Sequence, residues 1–452
     1  MTEGCPVLGW AASGGMALTG HAGGLPSLTP AAAFGLLGQL ADELAVVTGT
    51  TGLSVRADPA ELIAGRAALA GFSRQGQVSA GGTSQLLRCA DGWCAVTLSR
   101  ADDMAAIPAL LGLLGLLGLD GLDVPELARP ADARAALAAA ALTRSATALA
   151  DDAQLLGVPA AALPPIPAVA AGAGWPPWQV SWIAGTSPSA RLAGALVVDL
   201  SSMWAGPLCA RLLGLGGARV IKVETPDRPD GARAGNPDFF DWLHAGQRSV
   251  VLDFRSVSGR EALGALLAAA DVVIEASRPR ALEQLGLAPS QGRHRDGQVW
   301  LSITGYGRGE PDRVAFGDDA AVAGGLVAWV VDRDGADHEP VFCADAVADP
   351  LTGLCGALAV ARSLADGGGQ LIDLPMRTVA AGFAAADFPA HRILHRGRHQ
   401  TWSIREGTGA IVRCDVLGQD QAVLPPARPA PAGRAPELGA DTAAVLGRLA
   451  HG

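Results

Sequence analysis

Two aspartates four residues apart, Asp345 and Asp349, stand in the run PVFCADAVADPLTGLCGALAVA, and the residues after Asp349 are apolar and helical in character. Asp349 therefore falls at or near a helix N-terminus, where the partial positive charge of the helix favours a carboxylate. Such a group caps the helix or serves as a reactive carboxylate, and spacing alone favours the cap. Two other residues draw attention by rarity. Lys222 is the chain's single lysine, in VVDLSSMWAGPLCARLLGLGGARVIKVETP, and Tyr306 its single tyrosine, in SITGYGRG. Both lie within residues 197–310, which marks that region for function against the alternative of chance survival. His391, His395 and His399 in HRILHRGRH are spaced to line one helix face. Gly397 interrupts that face and no acidic ligand lies within it, so a solvated basic segment outweighs a metal site and no metal is expected. The run DLSSMWAGP after the first apolar strand is not G-x-G-x-x-G, which disfavours NAD or FAD, and neither a P-loop nor G-x-S-x-G occurs.

At 452 residues the chain has room for two domains. Its composition, 49% hydrophobic and 17% charged, is that of a folded globular protein. A formal net charge of −10 argues against a nucleic-acid surface, while local arginines can still hold an anionic ligand. Seven scattered cysteines with no C-x-x-C pair suggest reduced thiols and a cytoplasmic setting. No signal peptide is read at the start. The most apolar run, residues 104–119, falls short of a membrane span and contains Pro108, so a buried helix or helix pair is expected there and no membrane partner.

The elements that must position these residues fall into three segments. Residues 1–157 read as a small α+β domain, with a hairpin at 86–98 around Asp91-Gly92 and a helical stretch at 131–157. Residues 158–190, rich in Pro and Trp, read as a linker or as a strap pinned by Trp175, Trp178 and Trp182. Residues 191–452 read as an α/β domain with a Rossmann-like parallel sheet. Apolar strands at LAGALVVDL, ARVIKVE, SVVLDF, DVVIEA and QVWLSITGY alternate with helices at AGPLCARLLGLGG and SGREALGALLAAA. Ligands of such sheets sit at the carboxyl ends of the strands. Residues 55–68 also resemble 372–385 without gaps, as SGGMALTG resembles 323–330, with duplication left open.

The run from VVDLSSMWAGPLCARLLGLGGARVIKVETPDRPDGAR through FFDWLHAGQRSVVLDFRSVSGREAL, DVVIEASRPRALEQLGL and SITGYGRGEPDR resembles the family III CoA-transferases over about 190 residues. That group includes formyl-CoA and carnitine-CoA transferases and the 2-methylacyl-CoA racemases. The resemblance implies that Asp349, in ADPLTG, is the nucleophile of an acyl-CoA:carboxylate CoA-transferase. The implied reaction runs through an aspartyl anhydride and an aspartyl-CoA thioester, with Asp345 a bystander. It implies CoA contacts at Trp204 and Ala205, Thr225, Leu252, Asp253, Phe254 and Arg255, at Ala276, Ser277 and Arg278, at Gln284, and at Thr304, Gly305, Tyr306 and Gly307. Arg255 and Arg278 are the phosphate-holding candidates. Thr225 and Gln284 stand where well-known members carry basic residues, and Ala276-Ser277 replaces an Asn-Phe-like pair. Lys222, inside a strand, reads as structural.

The chain order departs from the family. Residues 73–98 resemble the entry to the family's small domain and 142–161 its end, so that domain stands in front. Residues 426–446 resemble the family's final segment. Gly81 and Gly82 are then candidates for a mobile active-site loop, with an ordinary turn as the even alternative. The implied partners are acyl-CoA and a carboxylic acid acceptor, with no permanently bound cofactor. The implied assembly is a homodimer, interlocked in the family. A racemase is the alternative within the family, disfavoured because RVAFGDDAAVAGG carries Phe316 and no His. A non-catalytic CoA-binding protein of the same fold is the alternative outside catalysis.

Overall fold

The structure is a computed structural model, and it describes residues 5–113, 130–165, 175–331, 338–386, 402–405, 410–414 and 417–449. The histidines at 391, 395 and 399 lie outside the described residues. The first seventy residues form three helices, α1 (Pro6–Ala12), α2 (Ala31–Thr51) and α3 (Pro59–Ala70). Asp58 caps α3 through a hydrogen bond from Ala60 N, Pro59 opens its first turn, and Gly71 closes it with φ 70°.

A separate small layer follows. It holds the antiparallel hairpin β1 (Ser84–Arg88) and β2 (Trp93–Thr97), helices α4 (Ala101–Ala105), α5 (Ile107–Leu113), α6 (Pro130–Ala141) and α7 (Ala146–Leu155), and β3 (Ala160–Ala162). The strands pair in the order β1-β2-β3. The hairpin and the helix pair after residue 100 match the sequence reading. The helical stretch at 131–157 is two helices, because the second starts afresh with Ser145 as its cap.

Residues 179–449 carry the large sheet. In chain order come β4 (Gln179–Trp182), β5 (Leu196–Asp199), α8 (Ala205–Leu215), β6 (Arg219–Glu224), α9 (Pro237–His244), β7 (Arg248–Val251), α10 (Val257–Ala269), β8 (Val272–Glu275), α11 (Pro279–Gln284) and β9 (Val299–Thr304). Then follow α12 (Gly317–Ala323), the hairpin β10 (Ala328–Val331) and β11 (His338–Val341), α13 (Ala348–Ala365), β12 (Gln370–Pro375) and α14 (Met376–Ala384). A three-stranded sheet, β13 (Trp402–Arg405), β14 (Ile411–Cys414) and β15 (Gln419–Ala422), and helix α15 (Thr442–Leu449) end the fold. The seven-stranded sheet has the order β4-β12-β9-β8-β5-β6-β7. Every neighbouring pair is parallel except β4 with β12. The expected α/β class and the five expected strands are therefore present. Alternate strand residues face two apolar layers: Val197, Val272, Val299 and Leu301 pack with α8 and α13, and Val198, Val273 and Trp300 with α10 and α15. The C-terminal segment covers the sheet edge, where Asp441 Oδ2 and Thr442 Oγ1 accept from the backbone N–H groups of Ser249 and Val251 in β7.

Packing divides the chain differently from the expected boundary at residue 157. Leu37, Leu40 and Leu44 of α2 and Leu62 and Ile63 of α3 share one core with α8 and α13, whereas the small layer has a core of its own around Leu110, Leu137 and Leu149. Hydrophobic period shows that a helix has a buried face but not which body it covers. The segment 158–190 is likewise more regular than a linker: Ala160–Ala162 closes the small sheet and Gln179–Trp182 is the exposed, antiparallel edge of the large one. Edge position explains how strands fit into a proline-rich run.

Candidate active site

The carboxyl ends of β5, β6, β7, β8 and β9 lie along one edge of the sheet, and the chain leaving β9 reaches α12 and then the loop before α13. That loop is strained. Ala344 and Ala346 have φ of 52° and 42°, on either side of Asp345. Two side chains hold it: Ala344 N donates to Thr19 Oγ1 at 2.9 Å and Ala346 N to Asp318 Oδ1 at 3.1 Å. Asp349 then stands in the first turn of α13, its N–H donating to Ala346 O at 2.9 Å. Gly317, at the start of α12, donates its N–H to the Asp349 carboxylate, and a Cβ on Gly317 would overlap Asp349 Oδ2 and Ala346 O.

Part of Asp349 remains open to solvent, yet its carboxyl is enclosed by protein. Loss of water pushes its pKa up to about 7; Arg66 pulls it down, Asp318 and Asp345 push it up, and the Gly317 N–H pulls it down. Asp345, 1% exposed, is pushed up to about 6 by burial, against the pull of Arg66. The Arg66 Nη1 donates to Asp345 Oδ1 at 2.9 Å. Arg66 comes from α3, and its guanidinium lies over the rings of Phe72, Trp204 and Phe239 at 5.5, 5.2 and 5.7 Å.

The small layer joins this cluster through α12. Ser84 Oγ donates to Asp318 Oδ2 and Thr97 Oγ1 to Asp319 Oδ1, both at 2.9 Å. Asp319, fully buried, is pushed up to about 8 by burial, with hydrogen bonds from Phe316 N and Thr97 opposing. Burial raises Asp318 as well, and Ser84, Arg66 and Ser79 oppose it. Ser79 begins the turn that carries the two expected loop glycines. Gly82 N donates to Ser79 O at 2.8 Å, Gly82 has φ 75°, and a Cβ on Gly81 would lie 3.7 Å from Arg66 Nη2. Gly81 is thus brought beside Arg66, whereas the Cβ position of Gly82 has nothing within 4 Å.

The other expected residues separate into groups. Trp204, buried at the start of α8, packs edge-on against Phe239 and lies under Arg66; Ala205 follows it. Leu252 is buried, Phe254 half-buried, and Asp253 exposed, its Oδ1 accepting from Arg255 N. Arg255 is 75% exposed and paired with Asp227, so it is committed to a surface ion pair. Thr225 Oγ1 accepts from Arg228 N and shapes the turn after β6. Ala276 and Ser277 are exposed at the end of β8, and Gln284 is exposed on α11. Arg278 is half-buried; loss of water lowers its pKa, and Arg280, Arg100 and Arg228 press it the same way. Arg100 Nη2 donates to Gly157 O at 2.9 Å, and Arg278 Nη2 lies 3.2 Å from the Cβ position of that same glycine. Arg100 and Arg278 therefore meet at Gly157, between the small layer and the strand ends; Arg100 is paired with Asp103 and Arg280 with Asp312. Thr304 Oγ1 accepts from Gly307 N at 2.8 Å, which shapes the turn of Gly305, Tyr306 and Gly307. The Tyr306 hydroxyl donates to Ala160 O at 3.2 Å, so it ties β9 to β3; burial raises its pKa. Lys222 is buried, with Nζ donating to Ser201 O at 2.7 Å and paired with Asp230 at 2.9 Å. It pins the loop ahead of Trp204.

Arg66, Arg100, Asp318 and Asp319 were missed in the sequence. Two signals were available: Arg66 is the lone cation of a helix that is apolar after Glu61, ELIAGRAALA, and Asp318-Asp319 opens a helix in AFGDDAA.

Comparison with known proteins gives a consistent likeness. The profile of CoA-transferase family III matches residues 192–414. Over these residues the chain is similar to CoA-transferase family III. The chain is 35% identical over 203 residues to the succinyl-CoA–L-malate CoA-transferase beta subunit of Chloroflexus aurantiacus, covering 42% of this chain and 50% of that one. It is 32% identical over 214 residues to the succinate–glutarate CoA-transferase of Agrobacterium fabrum (43% and 53%), and 30% identical over 199 residues to the formyl-CoA:oxalate CoA-transferase of Afipia carboxidovorans (41% and 46%). The chain spans about half the length of the curated relatives it matches. A CAIB/BAIF family protein from Brucella suis is 29% identical, with 51% of this chain and 66% of that one covered and a TM-score of 0.43.

Proposed function

We propose that the protein is an acyl-CoA:carboxylate CoA-transferase with Asp349 as its nucleophile. The observation that carries this reading is the placement of Asp349: a partly exposed residue whose enclosed carboxyl is held by Gly317 at the start of α13, at the carboxyl ends of the parallel strands. A carboxylate Oδ attacks the thioester carbonyl, the new O–C bond forms, and the C–S bond breaks with its electron pair leaving on the CoA thiolate. The thiolate then attacks the aspartyl carbonyl of the resulting anhydride, expelling the donor acid as a carboxylate and leaving an aspartyl-CoA thioester. The acceptor carboxylate repeats the first step on that thioester, and the thiolate's attack on the acceptor carbonyl restores Asp349. With a pKa about 7, Asp349 is ionised in a useful fraction near neutrality and is a more basic nucleophile than an ordinary carboxylate.

In this reading Arg278 holds the CoA phosphates, and Arg100, Arg255 and Arg280, each paired with an aspartate, contribute less. The layer of residues 84–162 does the work of the family's small domain, which the bonds of Ser84 and Thr97 to α12 support. The reading includes a homodimer in a reducing, cytoplasmic setting, with which the seven free, buried cysteines agree.

The test is to incubate the protein with a panel of acyl-CoAs, trap with hydroxylamine, and read the Asp349 peptide by mass spectrometry. A hydroxamate on Asp349, absent in Asp349→Ala together with CoA transfer, is expected. No adduct with any acyl-CoA, and unchanged activity in Asp349→Ala, would overturn the reading. Exchange of an α-proton of a 2-methylacyl-CoA without CoA transfer would point to a racemase instead.

A further inference from the structure

The cation that faces the Asp349 cluster comes from outside the region that matches the family. Arg66 lies on α3, about 125 residues ahead of the matched segment, which begins at residue 192. Its guanidinium is only 27% exposed, against 2% for its ion-pair partner Asp345. Three aromatic rings and the Gly81 turn fix its place. An arginine stem buried on an apolar helix face costs desolvation and rotamer freedom, so its site must return an interaction of comparable size.

The geometry points to Arg66 as a positioning residue that keeps Asp349 available as a carboxylate, with Asp345 as the group that holds Arg66 in place and moderates its charge. The inference rests on Asp349 as nucleophile. The charged groups facing Asp349 come from three elements: Arg66 from α3, Asp318 from α12, and Asp345 from the loop before α13. Two are acidic and oppose ionisation of Asp349; Arg66 favours it. α8 and α9 contribute Trp204 and Phe239, which flank the guanidinium rather than the carboxylate. Asp345 Oδ1 takes the Arg66 hydrogen bond while its Oδ2 has no partner among the described residues. Asp345 is therefore committed to Arg66. Such an arrangement tunes the charge state of a nucleophile from a separate part of the chain, so that the fraction of Asp349 in its reactive form at a given pH depends on α3.

Two substitutions separate this role from a merely structural one because they act in opposite directions. Removing the guanidinium in Arg66→Met leaves Asp349 facing two acids, so the acid limb of adduct formation moves to higher pH by about one pH unit. That is about a tenfold loss of rate on the limb with the alkaline plateau kept. Asp345→Asn removes a negative charge and keeps an oxygen that accepts from Arg66 Nη1, so the limb moves to lower pH. Arg66→Lys restores most of the wild-type profile. Carbodiimide labelling of Asp349 against pH, read by peptide mass spectrometry, follows the same carboxyl without acyl-CoA and should move in step. Equal loss at every pH with an unmoved limb in Arg66→Met, or shifts of the same sign in both variants, would overturn the inference. If Arg66→Met does not fold, the direction of Asp345→Asn and the labelling profile of Arg66→Lys decide. Wild-type protein that forms no Asp349 adduct at all would defeat the nucleophile reading, while an adduct whose limb ignores both substitutions would defeat only the role of Arg66.

Discussion

Three buried carboxyls around α12 and α13 hold their protons far more tightly in the folded chain than they would in water. Asp345 is pushed up to about 6, Asp349 to about 7 and Asp319 to about 8, each from 3.8. The folded state therefore binds more protons than the unfolded one between pH of about 4 and about 8. The contribution of these groups to stability is greatest below the unfolded value and declines as pH rises through the folded ones. Asp319 is the cleanest probe. Its Oδ1 accepts from Thr97 Oγ1 and Phe316 N, while Oδ2 is buried without a hydrogen-bond partner among the described residues. Asn in its place keeps the acceptor and carries no charge. Asp319→Asn should gain about 1–3 kcal/mol over wild type at pH about 8, and the gain should vanish toward pH about 4. Unfolding in denaturant across that range measures the difference. A pH-independent loss would show that the ionised carboxylate is needed for the fold.

At the scale of elements, the positions of α8, α12 and α13 depend on glycines that let backbones meet. A Cβ on Gly353 of α13 would lie 2.8 Å from Ala205 O and 2.9 Å from Leu208 Cβ of α8. Gly353→Ala should cost about 1–3 kcal/mol through overpacking, without singling out catalysis. Gly317→Ala is expected to behave differently, because its Cβ would displace the Asp349 carboxyl and the Ala346 carbonyl. Adduct formation should fall at least about tenfold while stability changes by a similar 1–3 kcal/mol or so. Equal adduct rates in the two variants would show that the α12 start does not set the nucleophile. The sequence made the central strands legible, since LVVD, RVIKVE and VVIE are buried on both faces and read as continuous apolar runs. It hid β4, whose four residues are all exposed and whose order comes from backbone pairing with β12. It also made Asp349 legible, through a motif local in sequence. Arg66, Ser84 and Thr97 were not, because they reach the site across more than 220 residues, a separation that no local pattern encodes.

For the molecule as a whole, the helices before residue 72 share one core with the segment that matches the family model, which begins at residue 192. The ungapped likeness of residues 55–68 and 372–385 has a structural counterpart. Both stretches pass from extended chain into a helix, α3 at Pro59 and α14 at Met376, and both helices lie against α2 and α13. Within it Arg66 stands opposite Phe383, which is 1% exposed. One pattern thus supplies a packing aromatic on α14 and the cation Arg66 on α3. α2 itself fills the groove beside α13 with Leu37, Leu40 and Leu44, at most 3% exposed, and Glu43 pairs with Arg362. Burying three leucines contributes roughly 5–9 kcal/mol, a sum comparable to the whole stability of a domain. A chain of residues 191–452 alone should therefore fail to fold cooperatively, bind a hydrophobic dye, and give no Asp349 adduct, whereas the full chain does the reverse. Circular dichroism with thermal unfolding checks this. A truncated chain that unfolds cooperatively near the full-length midpoint would mean that the first helices decorate a self-sufficient domain, and the dependence of Asp349 on Arg66 would then be the remaining reason for the chain to keep them.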